Sequence, residues 1–321
     1  MAGWSLTDAS GNVVISGDAS EVLNPTLYVD DTNGSDTNTG AAAGSGNALK
    51  TIQAAIDKLP KNIKGTGTVN IAAGTYREQV TIEKFTGGVL LLDGAGATTI
   101  ISGADSGSAT TAARDYCIKS TNNAFGKLHL KDMRLEYPVQ AGFSSELDGG
   151  NNLLENVEIQ NTGTASSGVG DGVRLTNTCR TVANNVDIEN CVRHAWMLSQ
   201  SRLDFETVLS TTSNTGKDAA NSGFPIWANN SKITVSVDDC SFGTATAQNG
   251  YCFMLSGSHF QHGGTTSSIA LTMVAASGGS YSTVGVRGRW CSIFAGKGTV
   301  TETNIDTSTN VTTGSVRENG S

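Results

Sequence analysis

The sequence predicts an all-β solenoid, a single rod of stacked three-stranded coils entered through one helix. Three observations predict it. From residue 127 onward an apolar strand, a turn residue and a second short strand recur. Only one stretch in 321 residues carries convincing helical periodicity. The composition, 37% hydrophobic with 39 Gly against 4 Pro, suits many short strands joined by turns better than a thick globular core. A solenoid fits that balance, because its core is a narrow stack of Val, Leu and Ile wrapped in polar turns.

Residues 1–26 alternate weakly, with Val13 and Ile15 between Gly11-Asn12 and Gly17-Asp18, and read as a short hairpin or attachment arm. The solenoid is expected from 27 to 300. Its first loop, Asp30 to Asp36, has the oxygen density of a calcium loop but lacks the bidentate Glu of an EF-hand. Asx and Gly turn chemistry explains the same residues, so no cofactor is expected and calcium is the lesser alternative. In residues 48–59, Leu49, Ile52, Ile56 and Leu59 fall at helical spacing, with Asn47 placed as N-cap and Pro60 as terminator.

After the helix come Thr68-Val69-Asn70-Ile71, then Gly74-Thr75-Tyr76-Arg77-Glu78, and then apolar runs ending at Leu92 and Ile101. This string resembles the N-terminal part of right-handed parallel β-helix proteins of the pectin-lyase-like superfamily, which includes pectin methylesterases, pectate lyases, polygalacturonases and phage tailspikes. The resemblance implies a right-handed parallel β-helix whose open end is capped by the 48–59 helix. Gly74, Tyr76 and Glu78 match the family's Gly-x-Tyr-x-Glu. The likeness is close over the first third and rests on repeat pattern alone beyond it. It bears on fold more than on activity, since the same start serves enzymes, adhesins and virion proteins.

The repeated positions Met133, Val157, Val186, Val208, Cys240 and Val274 lie roughly 22 to 34 residues apart, which gives about eight or nine coils. Asn156 and Asn185 fall at the sharp turn, where Asn tolerates a left-handed backbone and can bond its equivalent in the next coil. A third strand is expected around 116–118, 172–175, 195–198, 224–227, 251–255 and 284–286. The connections to it vary most, so a binding face should lie there or on the adjoining strands. Residues 301–321 form a polar tail, to be held only by the last coil or by a neighbouring subunit.

With 21 basic and 29 acidic residues the net charge is −8, so nucleic acid is not an expected partner. No apolar stretch reaches membrane-spanning length and no leader is apparent, so no membrane insertion is expected. The six Cys show no zinc-ligand spacing and read as buried free thiols.

Chemistry is only faintly marked. Esterases of the resembled family need a nucleophilic carboxylate, a second acid and an oxyanion-stabilising Gln. Neither a Gln-Asp pair nor Asp-Phe-Ile-Phe-Gly is present, and Gly288-Arg289-Trp290 only echoes the family's terminal motif. Against polygalacturonases, Asp171, Asp238, Asp239 and His262 are weak catalytic candidates, because hydrolysis needs two carboxylates across the bond. A lyase needs calcium or a basic residue to neutralise the uronate and an Arg or Lys as base; Arg174, Arg193 and Arg202 sit near acids, but no ligand cluster stands out and ion pairing explains them equally. Four His are not spaced as a metal set, and no metal site is assigned. As binding residues the sequence offers Arg174, Trp196, Trp227 and Tyr251, the aromatics falling on one strand of successive coils.

The leading expectation is therefore a phage spike, fibre or decoration protein in the virion. It would bind host surface glycan or other virion proteins, and the tailspike resemblance implies a homotrimer. The alternative is a carbohydrate-active enzyme, a polysaccharide hydrolase or lyase. A bacterial adhesin, extracellular or at the cell surface, is the second alternative.

Overall fold

In the computed structural model the strands stack in parallel, each pairing with its equivalent one coil later. The structure describes residues 5–7, 13–16, 24–105, 113–163, 169–206, 211–215, 225–236, 240–244, 251–262, 270–274, 284–289, 293–296, 299–303, 307–311 and 316–319. One face is a nine-stranded parallel sheet running from Val80–Glu83 through Tyr116–Thr121, Ala141–Glu146, Asp171–Thr176 and Trp196–Ser199 to Thr307–Val311. The other faces join into one continuous ladder, because Ala124–Glu136, Asn151–Gln160 and Arg180–Glu189 each bend across a corner without breaking. This is a parallel β-helix.

The bend falls where the sequence places it. Asp132, Asn156 and Asn185 all have φ near +54°, and they bond vertically: Asn156 Nδ2 donates to Asp132 Oδ1 at 2.7 Å and Asn185 Nδ2 to Asn156 Oδ1 at 2.9 Å. A second corner, after the nine-stranded sheet, stacks Asn122, Leu147, Asn177, Gln200 and Asn230, again with positive φ. Just beyond it a buried polar ladder links the coils. Phe85 N–H donates to Asn123 Oδ1 and Asn123 N–H to Asp148 Oδ1. Further along, Thr178, Ser201 and Ser231 each donate a backbone N–H to the hydroxyl of Ser201, Ser231 and Ser258 respectively, at 3.1 to 3.2 Å. Each side-chain oxygen thus satisfies a buried donor that a turn would otherwise strand.

Inside, side chains from Val29 to Phe260 form one continuous apolar stack. Trp196 belongs to it, fully buried and edge-on to Phe205 at 5.2 Å between ring centroids. Cys117 and Cys191 are buried thiols, as expected, and burial pushes both up to about 12. Cys179 is exposed, a departure from that expectation. Its neighbour Thr178 takes the inward place at the corner.

The helix spans Ile52–Lys58, shorter than the periodicity predicts, and its N-cap is Thr51 rather than Asn47. Leu49 is drawn into a bridge with Val29 instead. Asp36 accepts the N–H groups of Lys50 and Thr51, holding these residues extended. Glu78 then receives the N–H groups of Ile52 and Gln53, both at 2.8 Å. Free donors at a helix start favour such a carboxylate. Ile52, Ala55 and Ile56 are buried. No helix of the described residues is long and apolar enough to cross a membrane.

Towards the N-terminus, Ser5–Thr7 and Val13–Ser16 pair antiparallel, Leu6 opposite Ile15. At the other end the ladder continues past residue 300. Thr307–Val311 and Val316–Asn319 pair with the strands of the preceding coil. The polar stretch set apart at 301–321 therefore contains rungs of the solenoid, its Thr and Val suiting strands.

The corner ladder gives a stability prediction. Ser231→Ala leaves the Ser201 N–H without its acceptor and is expected to lower unfolding free energy by about 1–3 kcal/mol. Urea midpoints at unchanged slope measure it, and a midpoint equal to wild type would show that the hydroxyl ladder does not hold the coils.

Candidate functional site

Ladder register decides which side chains the nine-stranded sheet turns outward. One column runs Thr81, Lys119, Ser144, Arg174, Met197, Trp227, Met254. Arg174 stands in it with Val173 and Leu175 buried on either side, as alternation requires. Trp227 is partly exposed in the same column and stacks on His194, ring centroids 6.1 Å apart and planes 17° from parallel.

Trp196 does not join this face. It pairs with Ile226, while Trp227 pairs with Met197, so the two indoles lie one residue out of step and point opposite ways. Its assignment as a binding residue is thereby corrected to core packing. Tyr251 opens the strand Tyr251–Ser256 opposite Val284, and the Trp227 column continues through Met254 instead. His262 ends a strand of the other sheet, opposite Val235. Asp238 and Asp239 lie outside the described residues.

Asp171 is the centre of what the structure does assemble. Its side chain is 0% exposed. Oδ1 accepts from Arg193 Nε at 2.8 Å and from the His194 N–H at 3.3 Å; Oδ2 accepts from Arg193 Nη2 at 2.6 Å and Arg174 Nε at 3.0 Å. Burial alone would push this carboxyl up, but the Arg193 hydrogen bonds and the charges of His194, Arg193 and Arg174 outweigh it and hold it below the ordinary value. Arg174 reaches on through Nη1 to Gln140 Oε1 at 3.0 Å, which also accepts from the Tyr116 hydroxyl at 3.0 Å. Gly172 permits the close packing: a Cβ there would meet Ile188 Cγ2 at 2.5 Å and the Ala195 carbonyl at 2.7 Å.

Gln140, Tyr116, Arg193 and His194 enter the cluster without having been singled out as a set. The signal was faint. Gln140 precedes a strand, Ala141–Glu146, with only one large apolar side chain, and Arg193-His194 occupies the rung beside Asp171 only once the register is known. Arg202 bonds Asp204 on the other sheet, the ion-pair reading expected of it, and Arg180 bonds the same carboxylate.

Chemically, Asp171 is ionised, inaccessible and filled by cationic donors, so it is neither a nucleophile nor a proton donor in this arrangement. The residue before it is Gly170, not the Gln of an esterase Gln-Asp pair. Among the described residues its contacts include no second carboxylate. What borders solvent is a guanidinium held in place and 14% exposed, beside an amide and an aromatic platform.

Fold and face together define a parallel β-helix protein. The family model described as pectinesterase matches residues 38–142, less than half of the chain. It takes in the Gly-x-Tyr-x-Glu motif and Gln140 and stops short of Asp171. Among curated proteins no match was found. Solved structures similar to this chain include the crystal structure of pectin methylesterase from Aspergillus niger, with 14% identity, 99% of this chain and 92% of that one covered, and a TM-score of 0.44.

Two outcomes test the cluster. Asp171 has a depressed folded value, so its stabilisation is fully present above the ordinary value of 3.8 and is lost as pH falls through the lower folded one. Stability measured from pH 7 down to pH 2 should therefore drop more in wild type than in Asp171→Asn, which starts lower by about 3 kcal/mol. Gly172→Ala should also destabilise, since the added carbon meets a backbone oxygen, and thermal unfolding would register the loss.

Proposed function

We propose that the protein is carbohydrate-active and takes an acidic polysaccharide along the outward column of the nine-stranded sheet. The observation that carries this reading is Arg174, whose guanidinium is pinned by Asp171 and Gln140 on a face that continues through Met197 to Trp227. A fixed guanidinium suits a uronate carboxylate, and an aromatic two rungs further suits the apolar face of a neighbouring sugar. The pectinesterase family model over residues 38–142 points to the same class of polymer.

Of the two cleavage chemistries, elimination from a uronate fits better than hydrolysis. Hydrolysis needs two carboxylates flanking the bond, and Asp171 is filled by cations. Elimination breaks the C5–H and C4–O bonds, the proton passing to a base and the electron pair to the departing sugar oxygen, and it needs positive charge at the uronate, which Arg174 supplies. On this reading a panel of acidic polysaccharides should yield unsaturated uronate, followed by its ultraviolet absorbance. Arg174→Ala should reduce kcat/KM by at least about tenfold, and Trp227→Ala should act chiefly on KM. Neither product nor binding on any uronate polymer would overturn the proposal.

A second reading keeps the face and drops the chemistry. In it the protein is the virion-associated spike expected from the sequence, gripping a host glycan as a trimer. The saturation of Asp171 favours it, whereas the comparisons favour the carbohydrate-active reading and give the virion role no support. Binding without turnover, together with a trimeric mass in solution, would select the spike.

A further inference from the structure

Away from this face, a cavity of about 270 Å³ lies between the first coils and the loop that follows Val29. One wall is an outward column of the other sheet, in which Tyr28, Asn70 and Asp93 stand on successive strands. The opposite wall is the loop, through Ala43, Gly44 and Ala48. Its polar groups are incompletely used. Among the described residues neither the Tyr28 hydroxyl nor the Asn70 side-chain amide has a hydrogen-bond partner, and Asp93 commits Oδ1 to Lys131 Nζ at 3.1 Å while Oδ2 is left over. Asp30 differs. Its Oδ1 already accepts from the N–H groups of Thr32 and Asn33, and its Oδ2 from the Asn33 amide.

We propose that this cavity binds a single neutral pyranose unit of a glycan. The partly used groups are an amide that both donates and accepts, a hydroxyl that does the same, and a carboxylate oxygen that accepts. Adjacent sugar hydroxyls offer the complementary set. The alanine side chains and Tyr28 give the apolar surface that the C–H face of a pyranose needs. Charge selects against an acidic sugar, because Asp30 and Asp93 both lie in the wall. It does not select for a divalent cation, since the Asp30 oxygens are taken and the described residues hold no group of three or more metal-ligating side chains. The site thus differs from the Arg174 face in the sign of charge it accepts, and it stands whether or not that face takes a polysaccharide.

The test is amide-detected NMR of the full chain, titrated with the methyl glycosides of glucose, galactose and mannose. The expected result is saturable shifts of the Asn70 side-chain amide and the backbone amides of Gly44, Ala72 and Gly94 with at least one glycoside. Asn70→Ala should weaken that affinity about tenfold. Ala43→Phe, which fills the cavity from the loop side, should abolish the response while the remaining spectrum shows an intact fold. No shift at these amides with any of the three would overturn the proposal. So would an equal or larger response to methyl galacturonate, or a calcium response at the same amides that the glycosides do not compete with.

Discussion

The rest of the structure depends on register between coils. In a parallel stack each backbone bonds only to its neighbours above and below, and a slip of one residue would turn every inward side chain to solvent. Hydrophobic alternation opposes such a slip weakly where strands are four residues long. The corner after the nine-stranded sheet opposes it strongly. There, backbone donors of Thr178, Ser201 and Ser231 each require a side-chain oxygen one coil on, and the required residue lies directly after a left-handed position. A shifted coil would place Gln200, Asn230 or Gly257, exposed left-handed residues, where the buried acceptor belongs and leave the N–H without one.

The same constraint explains why the family motif is architectural. Tyr76 is buried, and its hydroxyl donates to the Ala72 carbonyl at 2.9 Å while lying within reach of the Val29 carbonyl and the Asp31 N–H. Glu78 binds the helix N-terminus. Between them these two side chains tie the second coil to the first and to the helix. None of these contacts touches the Asp171 cluster, so chemistry on the sheet face can change without disturbing the start of the rod.

What the sequence disclosed follows the strength of local signals. Asn156 and Asn185 were legible because few residues tolerate a left-handed corner, and their vertical bonding followed from the repeat. The helix was legible as a helix, but its start was not, since Leu49 has helical spacing from Ile52 and only the bridge to Val29 shows that it belongs to a strand. Ala141–Glu146 escaped notice because its inward residues are Ala141, Phe143 and Ser145, of which one is large and apolar. Losing that strand hid Gln140. Of the aromatics, Trp227 lies on the outer face and Trp196 does not, a distinction that turns on pairing no single strand reveals. Arg174, flanked by two unmistakable core residues, could be placed from alternation alone.

The charge distribution bears on how a polyanion could approach a chain of net charge −8. Beyond about 8 Å physiological salt screens the repulsion, so the decision falls to groups within contact distance. On the sheet face those are Lys119 and Arg174 along one column, with Arg193 behind. Lys119 is partly neutralised by Glu146 at 3.3 Å. Two guanidiniums share Asp171, so one buried carboxylate balances two cations and a unit of positive charge remains at the surface. The acid that looks catalytic in the sequence therefore acts through its neighbours: it fixes the orientation of Arg174 at a site where a free arginine would lose side-chain entropy on binding.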